Sequence, residues 1–227
     1  MQINTIRLRA ILGWLGMLLP WIVLSQCLVY GYGFPDSISS TYYLPPTVTP
    51  FMIILGSFSL LLISYKGYDK QDDIICTLSG VFALLICLFP CETSNLIVHW
   101  PNHDIPLIVG TFQLPEQVSS IVHNTSAVLF FILLAYNSFF LFTKSSGNMT
   151  KNKKKRNIIY RICGAVMFLS FVFLAPVSIF DVWGGIWAIE TVALTFFGIS
   201  WLTKSDIYPW LFCDTDQEDV VNDNAQQ

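Results

Sequence analysis

The chain is poor in charged residues, and this scarcity excludes most soluble folds. Only 12% of its 227 residues are charged, against about 25% in an ordinary soluble domain. Hydrophobic residues make up 54%, and the mean hydropathy is +0.58. They fall in runs of about 17–25 residues, the length at which a helix crosses the bilayer core of about 30 Å. We therefore predict an integral membrane protein with no soluble domain large enough to act alone.

Several signatures of other protein classes are also missing. The six cysteines form no C-x-x-C pair, and the chain has no G-x-S-x-G motif and no internal repeat. The first apolar run is followed by no A-x-A-like cleavage site, so we expect it to remain as a helix. Most cysteines lie inside apolar runs, where a free thiol packs as a small hydrophobe. Cys27 and Cys91 lie near the same predicted face, so a disulfide between them stays open.

The apolar runs predict an all-α, polytopic bundle of six transmembrane helices. Proline inside a run should kink the helix, as at Pro20 and Pro176. Residues 1–205 form the predicted transmembrane domain, and 206–227 form an acidic tail that we expect to be disordered and cytoplasmic. The predicted helices cover about 10–30, 49–65, 74–90, 118–143, 157–179 and 183–202.

Lysine and arginine predict the orientation. Six spans place all twelve of them on one side of the membrane, and the loops after the first, third and fifth helices contain none. Basic residues mark the cytoplasmic side, so both termini should lie in the cytoplasm, with the protein in the inner (cytoplasmic) membrane. The twelve residues are Arg7, Arg9, Lys66, Lys70, Lys144, Lys151, Lys153, Lys154, Lys155, Arg156, Arg161 and Lys204.

One basic run stands out on that side. It should attract anionic lipid head groups at about 1 kcal/mol per charge, although its simplest role is to fix the orientation. It is too short and too close to the membrane to suggest nucleic-acid binding. We expect membrane lipids as partners and no nucleic acid. The run comprises Lys151, Lys153, Lys154, Lys155 and Arg156.

Glu190 is the sharpest polar signal in the chain. It lies inside the predicted sixth helix, about 10 Å from the outer boundary by helical rise. A carboxylate at that depth costs several kcal/mol unless it is paired or protonated. His123, in the first turns of the predicted fourth helix, lies at a similar depth. We hypothesise that the two meet in an outward-facing cavity. The alternative is an interhelical hydrogen bond for Glu190 and a packed head-group histidine for His123.

The loop after the first helix is the predicted lid of that cavity. It is rich in hydroxyl groups from Pro35 to Tyr43 and carries one acid, Asp36. We predict ligand-binding roles for Ser39, Tyr43, His123 and Glu190. The same loop is equally compatible with ordinary Asx- and Ser-type turns.

The sequence gives little indication of a metal or cofactor site. His99 and His103 form an H-x-x-x-H pattern, but Pro101 between them disfavours the helix that would align two ligands. We expect no cofactor and name His99, His103 and His123 only as weak metal candidates. Ordinary interfacial loop histidines are the simpler interpretation.

Several segments spread along the chain carry a resemblance to known proteins. They are Ser37-Ile38-Ser39, Tyr42-Tyr43, Ser64–Asp69, Asp72-Asp73, Phe89-Pro90, His123, Arg156-Asn157, Tyr160-Arg161, Glu190 and Phe197–Lys204. Together they resemble a family of bacterial six-span membrane proteins. This likeness covers nearly the whole chain and implies the six-span fold but no activity.

Two further comparisons are more distant. The loop pattern P-x-S-I-S is similar to that of the six-span DRAM/Sfk group. The seven-span ceramidase and haemolysin-III-like hydrolases have a histidine pair in the last helix, where this chain has Glu190 instead.

These observations leave three function classes open. We expect a non-enzymatic protein that binds a lipid, a small molecule or a partner through the outward polar cavity. The alternative is a membrane-embedded lipid hydrolase of the ceramidase-like kind, with catalytic groups drawn from His123, Glu190, Asp36 and Ser39. A small transporter or channel is the third class, although the chain lacks the repeat symmetry that transporters often show.

Overall fold

The computed structural model of the chain describes residues 5–92, 108–145, 150–180, 182 and 184–205. The acidic tail at 206–227, His99 and His103 lie outside these residues. A short 3₁₀ helix (Ser39–Tyr43) lies in the first loop, and a small hairpin pairs β1 (Ile108–Val109) with β2 (Leu114–Pro115). The long helices are α1 (Thr5–Val29), α2 (Pro45–Ser64), α3 (Lys70–Leu88), α4 (Glu116–Tyr136, extended by a π turn over Asn137–Leu141), α5 (Lys151–Ile179) and α6 (Gly185–Lys204).

The six helices are each long and apolar enough to cross a membrane, which confirms a helical, multi-pass bundle. Large apolar side chains point away from the bundle, as lipid contact requires. Ile53 and Leu60 are each 62% exposed, and Phe173 is 59% exposed. The orientation of the termini stays a prediction.

Four helices (α1, α2, α3 and α5) begin four to six residues earlier than predicted, and two of these starts have a local cause. The second helix was predicted from 49, but α2 begins at Pro45, because a proline fits the first helical positions, whose N–H groups have no partner in the helix. The fifth was predicted from 157, but α5 begins at Lys151 after the cap Thr150, whose hydroxyl accepts from the Lys153 N–H at 3.1 Å. The basic run is therefore helical.

The helices form a closed ring in chain order. Each helix packs against the next, and α6 packs back against α1. Glycines allow the close approach of neighbours, as is usual between membrane helices. A Cβ on Gly198 would lie 2.7 Å from the Gly13 carbonyl oxygen, and one on Gly80 would lie 2.7 Å from that of Ser59.

Aromatic side chains fill the middle of the ring. Phe58 of α2 contacts Phe130 of α4 and Phe197 of α6, with ring centroids 5.8 and 4.9 Å apart. Trp201 continues this stack toward one end of the bundle, with Tyr65 at 5.0 Å. Such packing fills the interior of the ring at this level.

The end of the bundle that holds the α2–α3 turn is organised by ion pairs, and we call it the paired-charge end (residues 64–73, 141–145 and 204–205). Lys144 Nζ lies 2.7 Å from Asp69 Oδ2 and 3.1 Å from Asp72 Oδ1. Asp73 accepts the Gly67 N–H at 2.7 Å, which fixes the turn. The carboxylates at this end thus form ion pairs with lysine or accept hydrogen bonds from backbone N–H groups.

Candidate ligand-binding cavity

A cavity of about 280 Å³ lies at the other end of the bundle, between α4, α5 and α6. Residues 37–40 of the first loop cover it, and we call this segment the roof. Cys91 and Glu92, which follow α3, form part of its side. The polar groups that line it are Ser37, Ser39, Ser40, Cys91, Glu92, His123, Asn124, Ser170, Ser178 and Glu190.

Glu190 of α6 holds the roof. The Ile38 N–H donates to Glu190 Oε2 at 2.6 Å, and the Ser39 N–H and hydroxyl also donate to this carboxylate. These donors replace the water that the carboxylate would otherwise bind, which lowers the cost of placing it within a membrane helix. Glu190 therefore attaches the roof to α6.

His123 of α4 is 2% exposed and fixes the side wall of the cavity. Its Nδ1 lies 2.7 Å from the Phe89 carbonyl oxygen. A carbonyl only accepts, so Nδ1 carries the proton. In the neutral ring Nε2 is then an acceptor. The sequence alone could not choose between these two nitrogens.

Three successive carbonyls after α3 are each bound by a distant side chain. Phe89 O is bound by His123, Pro90 O by the Ser119 hydroxyl at 2.8 Å, and Cys91 O by the Tyr43 hydroxyl at 2.6 Å. Carbonyls at a helix C-terminus have no partner within the helix, so side-chain donors are needed there. This arrangement makes residues 89–91 a fixed wall.

The structure brings together three of the predicted site residues. Ser39, His123 and Glu190 line the same cavity. Tyr43 and Asp36 are beside the roof but are not among the lining residues. The Tyr43 hydroxyl is bound to Cys91 O, and the Asp36 carbonyl accepts the Trp187 N–H at 2.9 Å, which ties the loop to the first turn of α6.

The electrostatic environment of the cavity is acidic. Burial raises the pKa of the Cys91 thiol to about 12, and the negative charges of Glu190, Glu116 and Glu92 add to the shift. Cys91 therefore stays protonated at neutral pH and is a poor nucleophile. Cys27 and Cys91 are both free thiols in the structure, so the disulfide that the sequence left open is not formed.

Tyr43 remains a hydrogen-bond donor throughout the neutral range. Burial raises its pKa above the ordinary value, and Cys91 and Glu116 act in the same direction. A protonated hydroxyl is what the bond to Cys91 O requires. The contact between the first loop and the wall is therefore insensitive to pH near neutrality.

The sequence interpretation missed the lower part of the cavity. Its wall is mostly apolar and includes Val128, Phe131 and Phe171, with Ser170 of α5 at the same depth and Ser178 of α5 nearer the opening. The spacing of Ser170, Leu174 and Ser178 at intervals of four places all three on one helix face. That spacing is the signal that could have identified the α5 wall.

The described part of the chain holds no group of three or more His, Cys, Asp or Glu side chains placed to bind a metal ion. His123, the one weak metal candidate within that part, uses Nδ1 for the Phe89 carbonyl. The polar groups that line the cavity are suited to hydrogen bonding with an organic ligand. No family model, curated protein or solved structure matches the chain.

Proposed function

We propose that the chain is a non-enzymatic protein of the cytoplasmic membrane that binds an amphiphile, a lipid or a small molecule with a polar head, in this cavity. The termini lie in the cytoplasm and the cavity opens on the other side. The lysines and arginines support this orientation. In the sequence they fall in or beside the segments at the end of the bundle opposite the cavity. The resemblance to six-span bacterial membrane proteins agrees with it.

The two-part lining of the cavity carries the proposal. Hydroxyl, amide, imidazole and carboxylate groups lie beneath the roof, and the deeper part is mostly apolar, with Val128, Phe131 and Phe171 beside the Ser170 hydroxyl. From His123 to Phe131 the wall runs along α4 for about 12 Å at 1.5 Å per residue. Its volume of about 280 Å³ lies just below the range of about 300–1,000 Å³ typical of drug-sized sites. It suits a head group with part of an alkyl chain.

The rim suggests how a ligand enters. Asn124 of α4 and Ser178 of α5 both line the cavity and are exposed. The opening therefore lies between α4 and α5 near the membrane surface. An amphiphile in the outer leaflet can approach this opening with its head level with the polar groups.

Photolabelling tests the proposal. The probe is 1-dodecanol with a photoreactive diazirine in its alkyl chain, added in trace amounts to the protein in phosphatidylcholine nanodiscs. We expect adducts on Phe131 and Phe171. Ala127→Leu, which adds bulk to the cavity wall, should reduce these adducts at least about tenfold because a lost fit of about 1.4 kcal/mol has that effect.

Thr125→Leu is the matched control, because Thr125 is exposed on the same helix and is not a lining residue. It should leave the adducts on Phe131 and Phe171 unchanged. Equal labelling in both variants, or no labelling of the cavity in the wild type, would refute the proposal.

The basic start of α5 provides a second lipid contact in this proposal. Lys151, Lys153, Lys154, Lys155 and Arg156 fall in the first two turns of a helix. Arg156 is buried and Lys153 donates to the Phe142 carbonyl at 3.2 Å, so the exposed Lys151, Lys154 and Lys155 are the residues that would contact lipid. Positive charge at a helix N-terminus is unfavourable beside the helix dipole. Anionic head groups on the cytoplasmic surface would offset this cost.

A lipid hydrolase is the second candidate, because the Ser39 hydroxyl donates to Glu190 on the cavity wall. A serine bonded to a carboxylate is one arrangement that can activate a nucleophile. A fluorophosphonate probe decides the point. Covalent labelling of Ser39 that Glu190→Gln abolishes would support the hydrolase, and an unlabelled Ser39 in folded protein would exclude it.

A further inference from the structure

We infer that the head of the ligand is a protonated amine and that Glu190 is the residue that selects it. The inference rests on the proposed function, since it names the chemical class of the amphiphile. The amine is carried either by a membrane amphiphile or by a small water-soluble molecule. Both present the same ammonium group to the cavity.

The charges that face the cavity have one sign. Glu190 of α6 and Glu92 beside α3 both line it, and no lysine or arginine does among the described residues. Cys91 faces it as a neutral thiol, and His123 as a ring whose Nδ1 donates to a carbonyl. An anionic head group would therefore meet like charges without compensation, whereas an ammonium group would be attracted.

This asymmetry extends beyond the cavity itself. In the sequence, the segments that join α1 to α2, α3 to α4 and α5 to α6 contain no lysine or arginine. They do contain acids, among them Asp36, Glu92 and Asp181. A cationic ligand would be concentrated at this end of the molecule before it reaches Glu190.

The open hydrogen-bonding positions on two lining residues favour the same class of ligand. Ser40 Oγ already donates its proton to the Ser37 carbonyl at 2.8 Å, so it can only accept from a ligand. A carboxylate has about four acceptor positions; on Glu190, Ile38 and Ser39 supply three donors. Toward Ser40 and Glu190 the ligand therefore acts as a donor, and an ammonium group has three N–H groups.

A matched set of probes tests the inference. Dodecylamine, 1-dodecanol and dodecanoic acid, each with the same diazirine in the chain, are compared in phosphatidylcholine nanodiscs at pH 7. Labelling of Phe131 and Phe171 is divided by labelling of the outward-facing Phe173, which corrects for partition into the bilayer. We expect the amine to exceed the carboxylate by about tenfold or more, which corresponds to about 1.4 kcal/mol.

Two variants assign the selectivity to one residue. Glu190→Gln keeps an acceptor for Ile38 and removes the charge, so the amine preference should fall to near one. Glu116→Gln removes an acid at the same end that does not line the cavity, and should leave the preference unchanged. The wild-type ratio alone decides the inference if Glu190→Gln does not fold.

The outcomes separate the two proposals. Cavity labelling by dodecanol with no preference for the amine would overturn this inference and leave amphiphile binding intact. A failure of every probe to label the cavity would overturn both. Competition by excess butylamine would show a water-soluble amine as the source, whereas competition by unlabelled dodecylamine alone would show a membrane amphiphile.

Discussion

The two ends of this bundle use acidic residues in opposite ways. At the paired-charge end, Asp69 and Asp72 share the ammonium group of Lys144, and Asp73 accepts a backbone N–H. At the cavity end, Glu190 has backbone and hydroxyl donors from the roof and faces open space. Similar side chains thus close a turn at one end and line a cavity at the other.

The difference shows where charge is structural and where it remains available. A carboxylate already neutralised by a lysine gains little from a second cation. A carboxylate whose partners are all neutral donors has no cation beside it and can still attract one. The comparison therefore favours Glu190, and not Asp72, as the acid that would act on a ligand.

The largest expected effect comes from the helix contact on which both ends depend. A Cβ at Gly198 would lie 2.1 Å from Met17 Cγ and 2.7 Å from Gly13 O. Gly198→Ala should therefore lower the free energy of unfolding, measured by SDS titration in mixed micelles, by about 3 kcal/mol. Gly56→Ala is the control, because its nearest neighbour would be Cys87 Sγ at 4.0 Å. Equal stability of the two variants would show that α1 and α6 do not pack this closely.

The next effect is confined to the cavity end. His123→Phe fills a similar volume but leaves the Phe89 carbonyl without its donor, which should cost about 1–3 kcal/mol. His123→Gln retains a donor and should lose less. Hydrogen exchange followed by mass spectrometry should show faster exchange at the wall and roof, with the α2–α3 turn unchanged. Uniform loosening of both ends would contradict the assignment of His123 to the wall.

The smallest effect is expected at the paired-charge end. Lys144→Met removes the cation shared by Asp69 and Asp72 at a partly exposed site, so the unfolding midpoint should fall by only about 2–4 °C. Cavity labelling by the dodecylamine probe should not change. A loss of that labelling would show that the two ends are not independent.

The cost of Lys144→Met should also depend on pH. The hydrogen bond from Lys144, with help from the Asp72 N–H, lowers the pKa of Asp69 below its ordinary 3.8. A lowered folded pKa gives stability that is present above the ordinary value and is lost as the pH falls through the folded one. The difference between wild type and Lys144→Met should therefore be full at pH 6 and shrink below about pH 4. A constant difference down to about pH 2 would contradict the pairing.

Lys144 also determines how far the stabilisation by these ion pairs extends into the alkaline range. Burial alone would lower its pKa, but its bonds to Asp69 and Asp72 outweigh burial and raise the pKa above the ordinary 10.5. Stability from a raised pKa is present below the ordinary value and is lost as the pH rises through the folded one. The interaction should therefore persist across the neutral range.

The number and type of helices could be predicted because spanning a membrane imposes a length and an apolar composition that are visible in one sequence. Four helices begin earlier than predicted. At two of them the early residues are prolines that fit a first helical turn (Pro45) or charged residues that follow the cap Thr150 (from Lys151). Local composition is ambiguous at such boundaries.

The candidate cavity was predictable only in part. Depth in the membrane placed Glu190 and His123 at the same level, and both line the cavity. The bonds from Ile38 to Glu190 and from His123 to Phe89 could not be foreseen, because one partner in each is a backbone group far away in the sequence. Contacts of that kind depend on the arrangement of the helices in the ring.

The most direct test of the central claim is a residue-level map of dodecylamine-diazirine adducts on the wild-type protein in nanodiscs. If Glu190 and His123 face a cavity that holds an amine-headed amphiphile, Phe131 and Phe171 will carry more adduct than the outward-facing Leu169 and Phe173, and unlabelled dodecylamine will remove that excess. Adducts spread over Leu169 and Phe173, with none in excess on Phe131 or Phe171, would contradict the account.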